Sequence, residues 1–300
     1  MQFRRYQHLE RLGTTAVEGI QDGEVYVFPK LDGTNASVWL DDEGELQAGS
    51  RNRVLSSDND NAGFLNEFVS KDYNNRLKAL FSLRPEWTLF GEWLVPHSLK
   101  TYRPEAWRKF YIFDVMDEFD EYLHYREYSD TLKYLDLEYL SPIQIIKNGS
   151  DEHFRNCVER NTYLIEEGKG FGEGVVLKNY GWKNKFGQTI WAKIVANHFK
   201  ETHYKEMGAP VLGGISDEER IVNEFVTSHL VDKVHAKIVN EVNEWNSGMI
   251  PRLLNTVFYD LITEEMWEIL KRYKNPKIDF KYLQRLTIQK VKELKQDVFQ

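Results

Sequence analysis

The hydrophobic pattern of this 300-residue chain changes character about two-thirds of the way along. Up to about residue 205, short apolar or alternating runs recur, and Gly, Asp and Asn cluster between several of them. This pattern is typical of strands joined by turns. The candidate strands are Glu24–Phe28, Asn35–Leu40, Trp87–Glu92, Phe110–Val115, Gly174–Leu177 and Thr189–Val195. Helical spacing predicts helices over about 61–82, Tyr125–Leu135 and Asp151–Glu167.

Beyond a glycine-rich stretch at 207–215 the pattern becomes helical. Ser216 and Glu219 have the spacing of a capping box, and Thr263, followed by two glutamates, resembles another helix start. A last amphipathic helix is indicated by Leu283, Leu286, Val291, Leu294 and Val298. We therefore predict an α+β chain with one domain at 1–206, a linker at 207–215 and a small all-α domain at 216–300.

Composition excludes several classes of protein. Hydrophobic residues make up 41% of the chain, which rules out a disordered chain. The single cysteine, Cys157, excludes a disulfide framework and a cysteine-based zinc site, and it favours a reducing compartment. The first residues lack the apolar run of a signal peptide, and no stretch approaches the roughly 20 apolar residues of a membrane span. We expect a cytoplasmic protein without membrane contact.

The formal net charge of −8 hides an uneven distribution. Residues 111–180 carry 15 acidic side chains against 7 basic ones, and residues 211–270 carry 11 against 4. Residues 271–300 are the reverse, with nine basic side chains against three acidic ones. An acidic total argues against a nucleic-acid partner, which usually leaves a basic footprint. The basic C-terminal segment nevertheless predicts either a phosphate-binding surface or a helix whose lysines neutralise the acidic block before it.

The most informative local feature is a lysine in a turn that contains glycine. The segment Lys30–Asn35, of sequence KLDGTN, follows one candidate strand and leads into the next. A lysine fixed at this point can project into a cleft and act as a nucleophile once it has lost its proton. The same pattern also fits an ordinary hairpin with a surface lysine.

The segment KLDGTN resembles motif I of the covalent nucleotidyltransferases, the superfamily of ATP-dependent RNA and DNA ligases and mRNA-capping enzymes. Segments that resemble its other motifs follow in the family's order, at 48–51 (AGSR), 89–93 (LFGEW), 110–115 (FYIFDV), 172–178 (GEGVVLK) and 190–195 (IWAKIV). Asn35 and the helical C-terminal region are similar to the RNA ligase 2-like group. The resemblance implies an ATP-grasp-like nucleotidyltransferase domain of two antiparallel sheets flanked by helices.

The function implied by the resemblance is that of an ATP-dependent RNA ligase that requires Mg²⁺ or Mn²⁺. Such an enzyme seals RNA 5′-phosphate and 3′-OH ends, nicked duplex included, through a lysyl-AMP intermediate and an adenylylated 5′ end. Nothing in the sequence demands a protein partner, so we expect a monomer, and small stand-alone ligases of this type resemble phage repair enzymes. The alternatives are a DNA ligase acting on nicked duplex and a catalytically impaired nucleotide- or RNA-binding protein.

The resemblance also implies roles for individual residues. Lys30 is the nucleophile, and Lys193 is a second catalytic residue that neutralises the α-phosphate. The implied nucleotide-binding residues are Lys30, Arg51, Glu92, Phe113, Lys178 and Lys193. Asn35 and Arg51 are assigned to the substrate end, with Arg53 as an alternative to Arg51. Glu173 is the implied ligand of the divalent metal, which prefers carboxylate oxygen.

The chain departs from the family in motif V, which usually reads K-x-K. Trp191 stands in place of the first lysine, so one phosphate contact is missing or comes from Lys183 or Lys185. Trp182 and Trp191 are each either a core residue or part of a base-stacking surface.

The location of two neighbouring residues in the candidate strand Phe110–Val115 also bears on the site. Phe113 either stacks on adenine or belongs to the core. Strand alternation predicts that Asp114 points away from Phe113 and has a structural role.

Overall fold

The computed structural model describes residues 1–72, 74–96, 102–195, 216–242 and 245–299. These residues belong to two compact units, one up to residue 195 and the other from residue 216. Within the described ranges, no helix is both long enough and apolar enough to cross a membrane. The predicted linker at 207–215 lies outside the described residues, so the division into domains at that point stays a prediction.

The first unit contains two sheets. Its strands are β1 (Glu10–Arg11), β2 (Glu24–Lys30), β3 (Thr34–Leu40), β4 (Leu46–Ser50), β5 (Thr88–Leu94), β6 (Lys109–Met116), β7 (Gln144–Lys147), β8 (Gly174–Lys178) and β9 (Ala192–Val195). One sheet has the order β1-β9-β8-β2-β7 and is antiparallel except for the pair of β1 with β9. The other has the order β4-β3-β5-β6 and is antiparallel throughout. The predicted α+β class with two antiparallel sheets is confirmed.

Each sheet is covered by helices on its outer face. Helix α3 (Asp151–Glu159) packs on alternate residues of β2, β8 and β9, such as Val27, Val175 and Ile194. The four-stranded sheet packs on a π-helical segment (Phe64–Asp72), α1 (Asn74–Leu83) and α2 (Tyr125–Tyr134). Because strand side chains alternate, the remaining residues of both sheets face inward and share two further clusters.

Helix α3 ends at Glu159 and not at 167 as predicted. The side chain of Asn161 accepts a hydrogen bond from the Tyr163 backbone N–H at 3.3 Å and donates to the Gly174 carbonyl at 2.7 Å. These side-chain bonds compete with helical ones and anchor the chain at the start of β8. The last predicted strand is also shorter, since β9 begins only at Ala192.

The described part of the second unit is helical. Its helices are α4 (Asp217–Phe225), α5 (Ser228–Val242), α6 (Ile250–Arg272) and α7 (Phe280–Leu294). The predicted capping box is confirmed, because Ser216 Oγ accepts from the Glu219 N–H at 3.2 Å and Glu219 Oε2 accepts from the Ser216 N–H at 2.9 Å. The helix start predicted at Thr263 is wrong. Thr263 lies inside α6, where its hydroxyl donates to the Tyr259 carbonyl at 2.8 Å.

A buried carboxylate joins the two sheets of the first unit to the N-terminal segment. Asp114 of β6 accepts from Lys178 Nζ of β8 at 2.7 Å, from the Tyr6 hydroxyl at 2.6 Å and from Trp191 Nε1 at 3.1 Å. Burial raises the pKa of Asp114 and lowers that of Lys178, and the attraction between the two groups opposes both shifts. The charged form of each group is therefore stabilised by the charge of the other.

Strict alternation fails in β6 next to this carboxylate. Phe90 pairs with Asp114 while Gly91 pairs with Ile112, so Phe113 is the extra residue of a β-bulge. The Tyr6 ring lies 4.8 Å from the Phe113 ring, and the Tyr6 hydroxyl bonds to Asp114. Phe113 and Asp114 thus both contact the same inward side chain, and the predicted opposite orientation of Asp114 is wrong because of the bulge.

We expect the substitution Lys178→Met to lower the free energy of unfolding by about 3–5 kcal/mol, because it leaves Asp114 as a buried charge without its counterion. The double variant Lys178→Met, Asp114→Asn removes both charges and keeps an acceptor for Tyr6 and Trp191. It should recover at least half of that loss. Urea unfolding of the two variants and the parent protein measures both changes. A double variant no more stable than the single one would contradict this account.

Candidate active site

The predicted nucleophile and the predicted metal ligand lie side by side. Lys30 is the last residue of β2 and is paired with Gly174, the first residue of β8. This register brings the preceding residue, Glu173, next to the lysine, and Lys30 Nζ lies 2.6 Å from Glu173 Oε2. Both side chains are mostly buried. Strand pairing thus joins two residues that are 143 positions apart in the sequence.

The three lysines that are predicted to bind the nucleotide share the inner face of the five-stranded sheet. Val175 and Leu177 belong to the outer core with α3, so their neighbour Lys178 points inward. In β9 the outward residues are Ala192 and Ile194, and Lys193 therefore also points inward. Lys30 follows the same alternation in β2, where Val25 and Val27 face outward. Period-two alternation and register alone therefore place Lys30, Lys178 and Lys193 on one surface.

The four-stranded sheet contributes Asn35 and Glu92, which are directly paired between β3 and β5. Glu92 Oε1 accepts from the Gly33 backbone N–H at 3.0 Å and so fixes the turn that follows Lys30. A side chain at Gly33 would place its Cβ 2.6 Å from the Trp93 carbonyl oxygen, which explains why the turn requires glycine. The predicted end-binding residue, Asn35, and the predicted nucleotide-binding residue, Glu92, are thus neighbours beside this turn.

Two residues outside every recognised motif also hold the turn. The Tyr102 hydroxyl accepts from the Asp32 backbone N–H at 2.8 Å. Asn61 accepts from the Thr34 hydroxyl at 3.1 Å and donates to the Asn35 carbonyl at 3.2 Å. Sequence reasoning missed both, because they come from distant loops and carry no periodic or spacing signal.

Lys178 lies deeper than the other two lysines of this face. Its ammonium donates to the Phe113 carbonyl at 2.5 Å as well as to Asp114, and it lies 4.5 Å from the centre of the Phe28 ring. Phe113 itself is only partly buried. The predicted contacts of Lys178 with a phosphate and of Phe113 with adenine stay predictions. Lys178 Nζ lies 5.9 Å from the centre of the Phe113 ring.

The two candidate arginines differ in their surroundings. Arg51, just after β4, is exposed, and its Nη2 lies 3.2 Å from His8 Nδ1. Arg53 is less exposed and donates to the Asp60 carbonyl at 3.0 Å. Arg51 therefore presents the more accessible guanidinium, as its predicted role requires.

Trp191 is a core residue. It is fully buried in a cluster with Tyr6, Phe90, Met116 and Val176. The alternative that Trp191 forms a base-stacking surface is therefore wrong. Of the two lysines considered as replacements for a motif V lysine, Lys183 lies 3.6 Å from Glu121 on the surface, and Lys185 is exposed.

The register also shows which position of β9 is nearest to the nucleophile. Val195 pairs with Gly174, which in turn pairs with Lys30, so these three residues form one row across the sheet. Lys193 and Val195 share a face because they are two residues apart. Val195 therefore occupies the position of β9 that lies nearest to Lys30. Trp191, four residues earlier, is too deep in the core to contact a phosphate.

Comparison with known proteins supports the fold and identifies the family. A family model described as RNA ligase matches residues 23–195, more than half of the chain. Among solved structures, a Naegleria gruberi RNA ligase mutant with AMP and Mn has a TM-score of 0.51 and 19% identity, over 67% of this chain and 58% of that chain. A second mutant of it with AMP and Mn has a TM-score of 0.50 and 20% identity, over 66% of this chain and 57% of that chain. A third, with ATP and Mn, has a TM-score of 0.50, 20% identity and the same coverages of 66% and 57%.

The match spans less than two thirds of the Naegleria protein, and at this identity the likeness shows the fold alone. Comparison with curated proteins gave no match. The family model, however, covers the whole segment from β2 to β9, including Lys30, Glu173 and Lys193. The chain belongs to the RNA ligase family.

Proposed function

We propose that this protein is an ATP-dependent RNA ligase that joins RNA 5′-phosphate and 3′-OH ends through a lysyl-AMP intermediate, in the repair of broken RNA. The observation that carries the proposal is the placement of Lys30 beside Glu173, on the same sheet face as Lys193. A nucleophile, a metal-binding carboxylate and a phosphate-binding cation are the groups that nucleotidyl transfer to an amine requires.

The first step is the attack of Lys30 Nζ on the α-phosphorus of ATP. A P–N bond forms, the bond from the α-phosphorus to the bridging oxygen breaks, pyrophosphate leaves, and the amine gives up a proton. Lys193 on the same face would offset the negative charge of the α-phosphate, while Phe113 would stack on the adenine. Glu92, beside the turn, would accept hydrogen bonds from the ribose hydroxyls. The protein contributes mainly in-line positioning and charge neutralisation.

The next two steps seal the RNA. An oxygen of the 5′-phosphate displaces Lys30 from the AMP phosphorus, so the P–N bond breaks and a phosphoanhydride forms. The 3′-OH then attacks the 5′-phosphate, and AMP leaves with the anhydride oxygen. Asn35 and Arg51 would hold the 5′ end during these steps. The pairing of Asn35 with Glu92 supports this role, because it makes Asn35 the neighbour of a proposed nucleotide-binding residue.

Glu173 suits a divalent cation such as Mg²⁺ or Mn²⁺, because its carboxylate is mostly buried beside Lys30. Hard cations prefer carboxylate oxygens, and Mg²⁺ commonly takes one or two carboxylates together with substrate phosphates. Among the described residues, no three His, Cys, Asp or Glu side chains form a ready-made metal site. A bound cation would supply neutralisation of the phosphate charge. The Naegleria structures with Mn and ATP or AMP support the choice of metal and nucleotide.

The setting of the reaction is also a proposal. We place the protein in a reducing compartment such as the cytoplasm, which its one cysteine, Cys157, buried as a free thiol, supports. We further propose that it acts as a monomer.

The substitution Lys30→Ala should abolish covalent labelling of the protein by α-³²P-ATP with Mg²⁺, since no other amine takes the place of the nucleophile. Lys147→Ala, at an exposed lysine of β7, is the matched control and should label like the parent protein. Labelling is read on a denaturing gel after a fixed incubation. A parent protein that binds ATP without labelling would contradict the proposal and favour a catalytically impaired binding protein.

Sealing of matched substrates distinguishes RNA ligase from DNA ligase activity. We expect faster sealing of RNA 3′-OH ends than of DNA 3′-OH ends in nicked duplexes of the same sequence, because Asn35 resembles the residue that RNA ligases use in sealing. The rates are compared in single-turnover reactions with the adenylylated enzyme. Preferential sealing of an all-DNA nick would contradict RNA ligase activity and assign the protein to the DNA ligases.

The substitution Glu173→Gln should slow labelling by about 10- to 100-fold, because loss of a charge-assisted contact costs about 1.5–3 kcal/mol. The slower rate should recover in part as Mg²⁺ is raised. Glu167→Gln, at an exposed glutamate of the same connection, is the control. The labelling rate is measured over a series of Mg²⁺ concentrations. A Glu173→Gln rate equal to that of the control at low Mg²⁺ would contradict the assignment.

A further inference from the structure

The basic residues of the C-terminal segment fall into two groups. Some neutralise nearby acids, as one of the two sequence interpretations predicts. Arg272 pairs with Glu224 and Glu268, and Lys295 lies 2.9 Å from Asp232. Others have no such partner, since within the part of the chain that the structure describes Lys281, Arg285 and Lys292 form no ion pair. Charge balance therefore explains only part of this basic segment.

The unpaired cations lie on the exposed face of α7. Its buried residues, Leu283, Thr287 and Val291, recur every four positions and pack against the other helices. Lys281, Arg285 and Lys292 are all exposed and are spaced by four and seven residues, which places them along one stripe. At 1.5 Å per residue the stripe is about 16 Å long. We call these three residues the α7 basic stripe.

The acidic side chains on this helix do not cancel the stripe. Asp279 caps the helix and accepts from the backbone N–H groups of Lys281 and Tyr282 at 2.9 and 3.2 Å. Glu293 lies 3.8 Å from Lys290, which is outside the stripe. An exposed aromatic ring, Phe280, begins the same helix, and Arg285 lies over the ring of Tyr282 at 4.9 Å. The stripe is thus a row of exposed cations, one of which covers an aromatic ring.

We propose that the α7 basic stripe binds the phosphate backbone of the RNA substrate. The identity of the partner rests on the proposed function, whereas the binding surface rests on the exposure, spacing and lack of ion pairs of the stripe. Lysine and arginine at such spacing contact successive phosphates and release counterions. This explains how a chain with a net charge of −8 can hold a polyanion.

The test is the salt dependence of RNA binding by the full chain. The variant Lys281→Ala, Arg285→Ala, Lys292→Ala is compared with a charge-matched control, Lys133→Ala, Lys147→Ala, Arg155→Ala, whose three side chains are exposed elsewhere, in the first unit. Affinity for a fluorescent single-stranded RNA is measured without ATP over a range of KCl concentrations. We expect the stripe variant to bind about 10- to 100-fold more weakly at 0.1 M salt, with a log–log slope shallower by about 2.

The control loses the same net charge as the stripe variant but keeps the α7 basic stripe. It should therefore keep the salt-dependence slope of the parent protein. Equal behaviour of the two variants would overturn the proposal, and so would an unchanged slope in the stripe variant. Circular dichroism of each variant checks that the helices are retained, and alanine is a good helix former. Labelling by α-³²P-ATP is measured on the same preparations. A stripe variant that labels normally and binds RNA like the parent protein refutes the stripe alone, whereas a parent protein that does not label refutes the proposed function.

Discussion

The buried pair of Asp114 and Lys178 is the interaction on which the geometry of the first unit depends. It joins β6 of one sheet to β8 of the other, and Tyr6 and Trp191 complete the shell of the carboxylate. A buried pair of this kind contributes little net stability compared with apolar packing, but removing one partner is costly. The pair connects β8 directly to β6, because Lys178 Nζ contacts both Asp114 and the Phe113 carbonyl.

Given that arrangement, the candidate site follows from strand register. One row across the sheet contains Val195, Gly174 and Lys30, and Glu173 precedes the middle residue. The turn after Lys30 is closed by a carboxylate from the other sheet, Glu92. Each sheet therefore supplies part of a site that neither could form alone. A shift of one residue in β8 would turn Lys178 outward and separate Glu173 from Lys30.

The sequence allowed prediction of the features that have a local signal. Alternation, turn residues and the ordered motifs predicted six of the nine described strands, the fold class, the family and the residues that meet around Lys30. The errors arose where tertiary contacts override a local pattern. A bulge changes the side on which Asp114 lies, Asn161 ends α3 early, and Thr263 lies within a continuous helix. Tyr6, Asn61 and Tyr102 could not be found, because only the folded chain brings them to the site.

The central claim is that Lys30, and not another lysine of the same sheet face, becomes covalently attached to AMP. The most direct measurement is peptide mass spectrometry of the protein after incubation with ATP and Mg²⁺. The account predicts one adenylylated peptide, with the modification on Lys30 and none on Lys178 or Lys193. Adenylylation of either of those lysines, or a protein that consumes ATP without any modified peptide, would contradict it.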